Sequence, residues 1–260
     1  MRVSIITICY NRVKTIEKAI QSVLSQDYED IEYIIIDGNS KDGTQQIIEK
    51  YRNQIATYIS EPDNGMYDAI NKGLAIATGD IVGLMHSDDE FYDNHVISKI
   101  VEAFEASSKT EGIYGNGLYI SNDEKQKVIR NRIGGNFSIN KLRNGWLPLH
   151  TTIYLKKTII EKYGNYDLNF KFASDTEFLL RYLFINKINI VYINSYLVKM
   201  RMGGISTSKK RAVEVFKEDL KIYKHHNISF RRAVILKKIR ALLQYLRCKL
   251  QKINKNVNSK

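Results

Sequence analysis

No apolar run in this 260-residue chain approaches the roughly 18 to 20 residues that a membrane-spanning helix requires. The amino terminus "MRVSIITICYNR" has only a short apolar stretch, interrupted by polar Thr7, and is not expected to act as a secretory signal. A cytoplasmic location is the resulting expectation. Cysteine is scarce: Cys9 and Cys248 stand at no metal-ligand or redox spacing, and a reducing compartment leaves both as thiols. Neither G-x-G-x-x-G after the first predicted strand nor G-x-x-x-x-G-K-[ST] occurs, which argues against a dinucleotide fold and a P-loop NTPase. Acids are missing from the carboxyl end. Of 40 Lys and Arg, twelve lie beyond Asp219, whereas all 28 Asp and Glu lie at or before it, so residues 1–219 are formally neutral and the +12 net charge belongs to the tail.

What is present describes an ordinary globular chain, 43% hydrophobic and 26% charged. "VSIITICY" (Val3 to Tyr10) and "IEYIIID" (Ile31 to Asp37) are short, β-branched and bounded by polar residues, as buried strands are. Between them Ile16, Ala19, Ile20, Val23 and Leu24 fall on one face of a helix. The alternation continues with a helix near Thr44 to Tyr51, a strand near Ile55 to Ser60, a helix near Met66 to Ala77, and a strand within "DIVGLMHSDDE". Such a pattern predicts an α/β fold with a mostly parallel sheet flanked by helices and a ligand site beyond the carboxyl ends of its strands.

Polar groups gather at that edge. Asp88 and Asp89 follow the fourth strand side by side, an arrangement that mutual repulsion and desolvation make costly unless a ligand compensates. Without a glycine-rich phosphate cradle, a diphosphate needs a divalent cation, and Mg²⁺ or Mn²⁺ uses one or two protein carboxylates and completes its shell with phosphate and water. Asp37 ends its strand where an acceptor meets a ribose or base edge. Helix capping is an alternative use for Asp42, Asp63, Asn64 and Asp68.

"SIITICYNR", "IIIDGNSKDGT", "SEPDNGMYDAINKG", "TGDIVGLMHSDDE" and "FASDTEFLLR" resemble, in order and approximate spacing, family 2 glycosyltransferases of the GT-A fold, the inverting enzymes that use nucleotide sugars. Bacterial members that build O-antigen, capsule or exopolysaccharide are the most similar type. The resemblance implies that Thr7, Tyr10 and Asn11 meet the nucleoside, that Asp37 reads the base, usually uracil, and that Asn71, Lys72 and Gly73 approach the donor. It further implies Asp89 as the metal ligand, Asp88 near the ribose or sugar, and Asp175 as the general base; many relatives have Glu-Asp where this chain has Ser174-Asp175. Its implied donor is a UDP-sugar carrying a hexosyl or N-acetylhexosaminyl group, and its acceptor a growing, lipid-linked glycan. An N-terminal helix cap is the competing reading for Asp175, since Ser174, Asp175 and Glu177 precede an apolar run. Trp146 and His150 fall where relatives shape the acceptor and sugar pocket, and "RMGGIST" (Arg201 to Thr207) resembles a loop closing over the donor.

The chain divides by pattern into a transferase domain over 1–226, with a nucleotide-sugar half (1–111) and an acceptor half (112–226), and a tail over 227–260. Ile235, Ile239, Leu242, Leu243, Leu246 and Leu250 recur at helical spacing among Lys237, Lys238, Arg240, Arg247 and Lys249. This basic amphipathic helix suits an anionic membrane surface on the inner face of the cell. Packing back on the domain and pairing in a homodimer are alternatives. Nucleic acid is not an expected partner, since no base-stacking or groove-reading motif accompanies the charge. A nucleotidyltransferase and a non-catalytic carbohydrate-binding scaffold remain alternative functions.

Overall fold

The computed structural model describes residues 1–123, 126–202 and 212–229 and, of the tail, residues 232, 233, 235–237, 239, 240, 242–244, 246 and 248. Four parallel strands, β1 (Val3–Cys9), β2 (Ile31–Asp37), β3 (Thr57–Ser60) and β4 (Ile81–His86), lie in the order β3-β2-β1-β4. Helices α1 (Ile16–Leu24), α2 (Thr44–Glu49) and α3 (Met66–Ile76) connect them. Ile16, Ala19, Ile20 and Val23 are the buried face of α1, as their spacing predicts, while partly buried Leu24 edges the same core. The third strand starts later than expected because Arg52–Gln54 form a 3₁₀ turn whose Arg52 carbonyl accepts the N–H of buried Ile55.

Successive strand residues alternate between two apolar layers, Ile6, Ile8, Ile34 and Ile36 in one and Val3, Ile5, Tyr33 and Ile35 in the other. A strand covered on both faces has no solvent side, which is why these segments read as continuous apolar runs. Gly73 of α3 lies so close to β1 that a Cβ there would stand 2.5 Å from Ile6. The missing side chain lets the helix settle on the sheet, and with it the loop that precedes the helix.

Beyond β4 the sheet continues without a break into the second half of the chain. Strand β8 (Tyr154–Lys156) runs antiparallel to both β4 and β6 (Gly112–Ile120), and β6 runs parallel to β9 (Ile190–Arg201), which carries the two-residue β5 (Glu90–Phe91) at its edge. Strand β7 (Val128–Arg132) pairs with β6. The halves divided at 111/112 thus share one nine-stranded sheet. Helices α4 (Val96–Glu105), α5 (Ile139–Arg143), α6 (Lys157–Tyr163), α7 (Ser174–Leu180) and α8 (Ala212–His225), with a 3₁₀ turn at His150–Thr152 and a π-helical turn at Arg181–Ile185, complete the described elements.

The described tail residues from 232 to 248 are helical and pack back on the domain. Ile228 and Ala233 join one of the apolar layers and Cys248 is buried. Lys237 donates to Asp219 at 3.0 Å, and Arg240 to the Asn144 carbonyl at 2.7 Å. The opposite side of the same segment is bare, with Ile235, Ile239, Leu242, Leu243 and Leu246 all exposed. Lys238, Arg247, Lys249 and Leu250 lie outside the described residues. Among those described, no helix is long and apolar enough to cross a membrane.

Candidate active site

The acid pair sits at the carboxyl end of β4, where the Asp89 amide returns to the His86 carbonyl at 3.0 Å. Pairing of β5 with β9 closes this turn, and it leaves Asp89 only 3% exposed. Its Oδ1 accepts the Arg201 backbone N–H at 3.2 Å, while its buried Oδ2 has no partner among the described residues. The Arg201 guanidinium pairs with Glu90. Burial, reinforced by the neighbouring Asp88 charge, holds the Asp89 carboxyl well above the usual carboxylate range. An orphaned buried carboxylate oxygen beside a second, more accessible acid fits a divalent cation. The described residues contain no cluster of three or more protein ligands, so such an ion would keep most of its shell as phosphate and water oxygens.

Asp175 lies in the first turn of α7. It is not the cap of that helix: the N-cap position is Ala173, and the preceding amides of Lys171, Phe172 and Ala173 all donate to the Glu218 carboxylate of α8, at 3.0, 2.8 and 2.9 Å. The helix start is therefore held from outside. Ser174 contributes no cap either, its buried hydroxyl having no partner among the described residues. Asp175 Oδ1 accepts the Tyr67 hydroxyl at 3.1 Å and the Thr176 N–H at 2.8 Å, and no described residue bonds Oδ2. One oxygen is fixed and the other is available.

A stack of rings links this acid to the acid pair. Tyr67 stacks on Tyr166 at 5.6 Å, and Tyr166 stacks on Phe178 at 4.2 Å. Asn71 clamps Tyr166 from both sides, its amide donating to the Tyr166 carbonyl and its oxygen accepting the Tyr166 N–H. The Tyr166 hydroxyl meets His150 Nε2, and the His150 ring lies 5.9 Å from that of His86, three residues before Asp89. The His86 imidazole feels the charges of both Asp88 and Asp175. Burial pushes both imidazoles down to about 4, His86 further depressed by His150, so each is neutral near pH 7. Burial also raises the Tyr67 and Tyr166 hydroxyls, aided by the Asp175 charge, so they remain protonated donors.

Several residues expected at the nucleoside stand elsewhere. Thr7 is fully buried within β1, its hydroxyl accepting from Tyr33. Asp37 is also fully buried: its oxygens accept from the Ser40 amide at 3.0 Å, the Ser60 hydroxyl at 2.6 Å, the Cys9 thiol at 3.4 Å and the Ser40 hydroxyl. The hydroxyls of its own turn and of β3 draw this carboxylate inward, leaving none of it for a base. Asn71 is occupied with Tyr166, Gly73 with helix–sheet contact, and Lys72 with Glu61 and the Pro62 carbonyl. Asn11, at φ 52, ties the first loop to the second through Ser40 and Lys41. Tyr10 remains open to solvent, 60% exposed.

Trp146 is partly buried, its ring edge-on to Tyr114 with the Lys141 ammonium over it. Residues 203–207 of the "RMGGIST" segment lie outside the described residues. Sequence reasoning passed over His86, Tyr67, Tyr166 and Glu218. Tyr67 carries one signal, a polar-tipped ring on the buried face of a helix beside the site.

The protein-family model described as glycosyl transferase family 2 matches residues 4–168. A protein of Mycobacterium tuberculosis named an uncharacterized glycosyltransferase is 35% identical over 181 residues, 69% of this chain and 68% of its own length. The glycosyltransferase of PGL/p-HBAD biosynthesis from Mycobacterium bovis is 24% identical over 68% of each chain. Among solved structures, Staphylococcus aureus TarS 1-349 in complex with UDP-GlcNAc superposes with a TM-score of 0.68 at 17% identity, over 85% of this chain and 65% of that one. The Pyrobaculum calidifontis mannosyltransferase in complex with GDP-Man and Mn²⁺ gives 0.62 at 15% identity, over 99% and 80%. These likenesses establish the GT-A fold, with its curled sheet and flanking helices.

Proposed function

The chain belongs to glycosyltransferase family 2, and from that premise we propose that it is a metal-dependent, inverting enzyme transferring a hexosyl or N-acetylhexosaminyl group from a UDP-sugar to a growing, lipid-linked surface glycan. The observation that carries this reading is the half-committed Asp175 carboxylate, anchored at Oδ1 and free at Oδ2, on a different segment from the acid pair. Inversion requires the acceptor hydroxyl to attack the anomeric carbon opposite the leaving diphosphate, so base and leaving-group site come from separate elements. As the new C–O bond forms and the C–O bond to diphosphate breaks, the hydroxyl proton passes to Asp175 Oδ2, general-base catalysis contributing roughly 10²- to 10⁴-fold. Asp89 Oδ2 and Asp88 would hold the divalent cation, which when bound neutralises charge on the departing diphosphate. The UDP-GlcNAc and the GDP-Man and Mn²⁺ complexes of structures sharing this fold support a nucleotide-sugar donor and a divalent cation.

The bare apolar row Ile235, Ile239, Leu242, Leu243 and Leu246, on a segment without acids, supports peripheral attachment to the anionic inner face of the cell membrane. Tail and domain then form one body, the tail's inner side packed on the protein and its outer side on lipid. The enzymatic reading is tested by melting the protein against a panel of nucleotide sugars with and without Mn²⁺, followed by the anomeric configuration of the product by NMR. Stabilisation by a UDP-sugar that needs Mn²⁺, and an inverted product, are expected. Retention of configuration contradicts the mechanism.

A further inference from the structure

The nucleotide edge of the sheet lacks the acceptor that a base-reading site needs, because the Asp37 carboxylate is fully buried and bonded to Ser40, Ser60 and Cys9. Its neighbour at the strand end is Gly38, which has no side chain to offer. A different carboxylate fills the space. A Cβ built on Gly38 would stand 2.4 Å from Asp63 Oδ2 and 3.3 Å from the Tyr10 ring, so Asp63, from the loop after β3, reaches over Gly38 beside Tyr10. Asp63 Oδ1 is fixed by the Gly65 N–H at 2.8 Å, and Gly65 adopts φ +116, a conformation that favours glycine. No described residue bonds Oδ2. The bare Gly38 thus seats the Asp63 carboxylate beside Tyr10, a residue 60% exposed to solvent.

We propose that Asp63, admitted by the bare Gly38, is the residue that selects the nucleobase of the donor, accepting the imide N3–H of uracil stacked on Tyr10. This rests on the nucleotide-sugar reading above and deepens it. The chemistry is selective because an ionised carboxylate only accepts hydrogen bonds. Uracil presents a donor at N3, whereas cytosine presents a lone pair there, which the carboxylate repels. An aromatic face contributes stacking that every base shares, so Tyr10 supplies affinity and Asp63 the discrimination. Gly38 is then a specificity residue through its absence of atoms: any side chain at 38 displaces the Asp63 carboxylate.

A ribose hydroxyl is also a donor, so the test separates base from sugar. Binding of UDP, 3-methyl-UDP and 2′-deoxy-UDP in the presence of Mn²⁺ is measured by calorimetry for the full chain and for Asp63→Ala and Gly38→Ala. A hydrogen bond to a charged acceptor predicts that the unaltered chain prefers UDP over 3-methyl-UDP at least tenfold. Both variants are expected to reduce that preference to about twofold or less, with melting temperatures near that of the parent. Gly38→Ala is the sharper arm, since it removes no functional group. Equal binding of UDP and 3-methyl-UDP by the parent, or an undiminished preference in Asp63→Ala, overturns the inference while leaving the nucleotide-sugar reading intact. Loss of the 2′-deoxy discrimination instead of the 3-methyl discrimination moves Asp63 to the ribose and also overturns it. Failure of the parent to bind any of the three removes the UDP-sugar reading on which the inference rests.

Discussion

Asp89→Asn should make the metal-free protein more stable while removing its activity. Asp89 is 3% exposed, one of its oxygens has no partner among the described residues, and its carboxyl is held well above the usual range by burial and by Asp88. A buried carboxyl held above its ordinary range costs the folded state free energy at pH 7.5, because the unfolded chain ionises it freely in water. The Arg201 N–H and the nearby guanidinium offset part of that cost. An uncharged amide of the same shape relieves the remainder but loses the Oδ1 acceptor's charge, so a net gain of about 1 to 3 kcal/mol is expected. At this chain length each kcal/mol corresponds to roughly 2 to 4 °C in melting temperature. Calorimetric melting in chelator gives the stability, and titration of UDP with and without Mn²⁺ gives the ligand response. A variant that melts lower than the parent and still binds UDP in a Mn²⁺-dependent way refutes the argument, for Asp89 would then serve the fold and not the ion.

Three further outcomes follow from the same geometry. Tyr67→Phe removes the hydroxyl that fixes Asp175 Oδ1, so turnover should fall by about tenfold with donor affinity nearly unchanged, read from kcat beside a UDP titration. Lowering pH from 6.5 to 4 should destabilise the protein, since the unfolded imidazoles protonate in that window while His86 and His150, depressed to about 4, stay neutral; the raised Asp89 carboxyl works the other way, so the measurement is the shallower urea-denaturation pH slope of His150→Asn relative to the parent. Ile239→Gln with Leu242→Gln should cut sedimentation with phosphatidylserine vesicles severalfold without lowering the melting temperature, whereas truncation after residue 226 should lower it, because Ile228 and Ala233 belong to the core.

Helix α1 and strands β1 and β2 were legible because their evidence is local: the spacing of Ile16, Ala19, Ile20 and Val23, and the β-branched density of "IEYIIID", lie within one window. Pairing between distant segments leaves no such trace. Nothing in "GIYGNGLYI" announces β9 as a parallel neighbour or β8 as the antiparallel link to β4. The site behaved alike. That Asp88 and Asp89 fall at a strand's carboxyl end follows from the alternation of elements, but the direction an acid faces depends on partners far away. Asp37 turns inward because Ser60 lies 23 residues on, and Asp175 is fixed by Tyr67, 108 residues earlier. The amphipathic tail was visible as a pattern, yet only contacts such as Arg240 with Asn144 separate its inner side from its outer one.

The central claim is that Asp175 takes the acceptor proton and does not bind the donor. Asp175→Asn, assayed for turnover with a soluble acceptor analogue and for donor affinity by calorimetry in Mn²⁺, tests it most directly. Turnover lowered by roughly 10²-fold or more with donor affinity within about twofold of the parent is the predicted result. Donor affinity that collapses together with turnover, or turnover that survives intact, contradicts it.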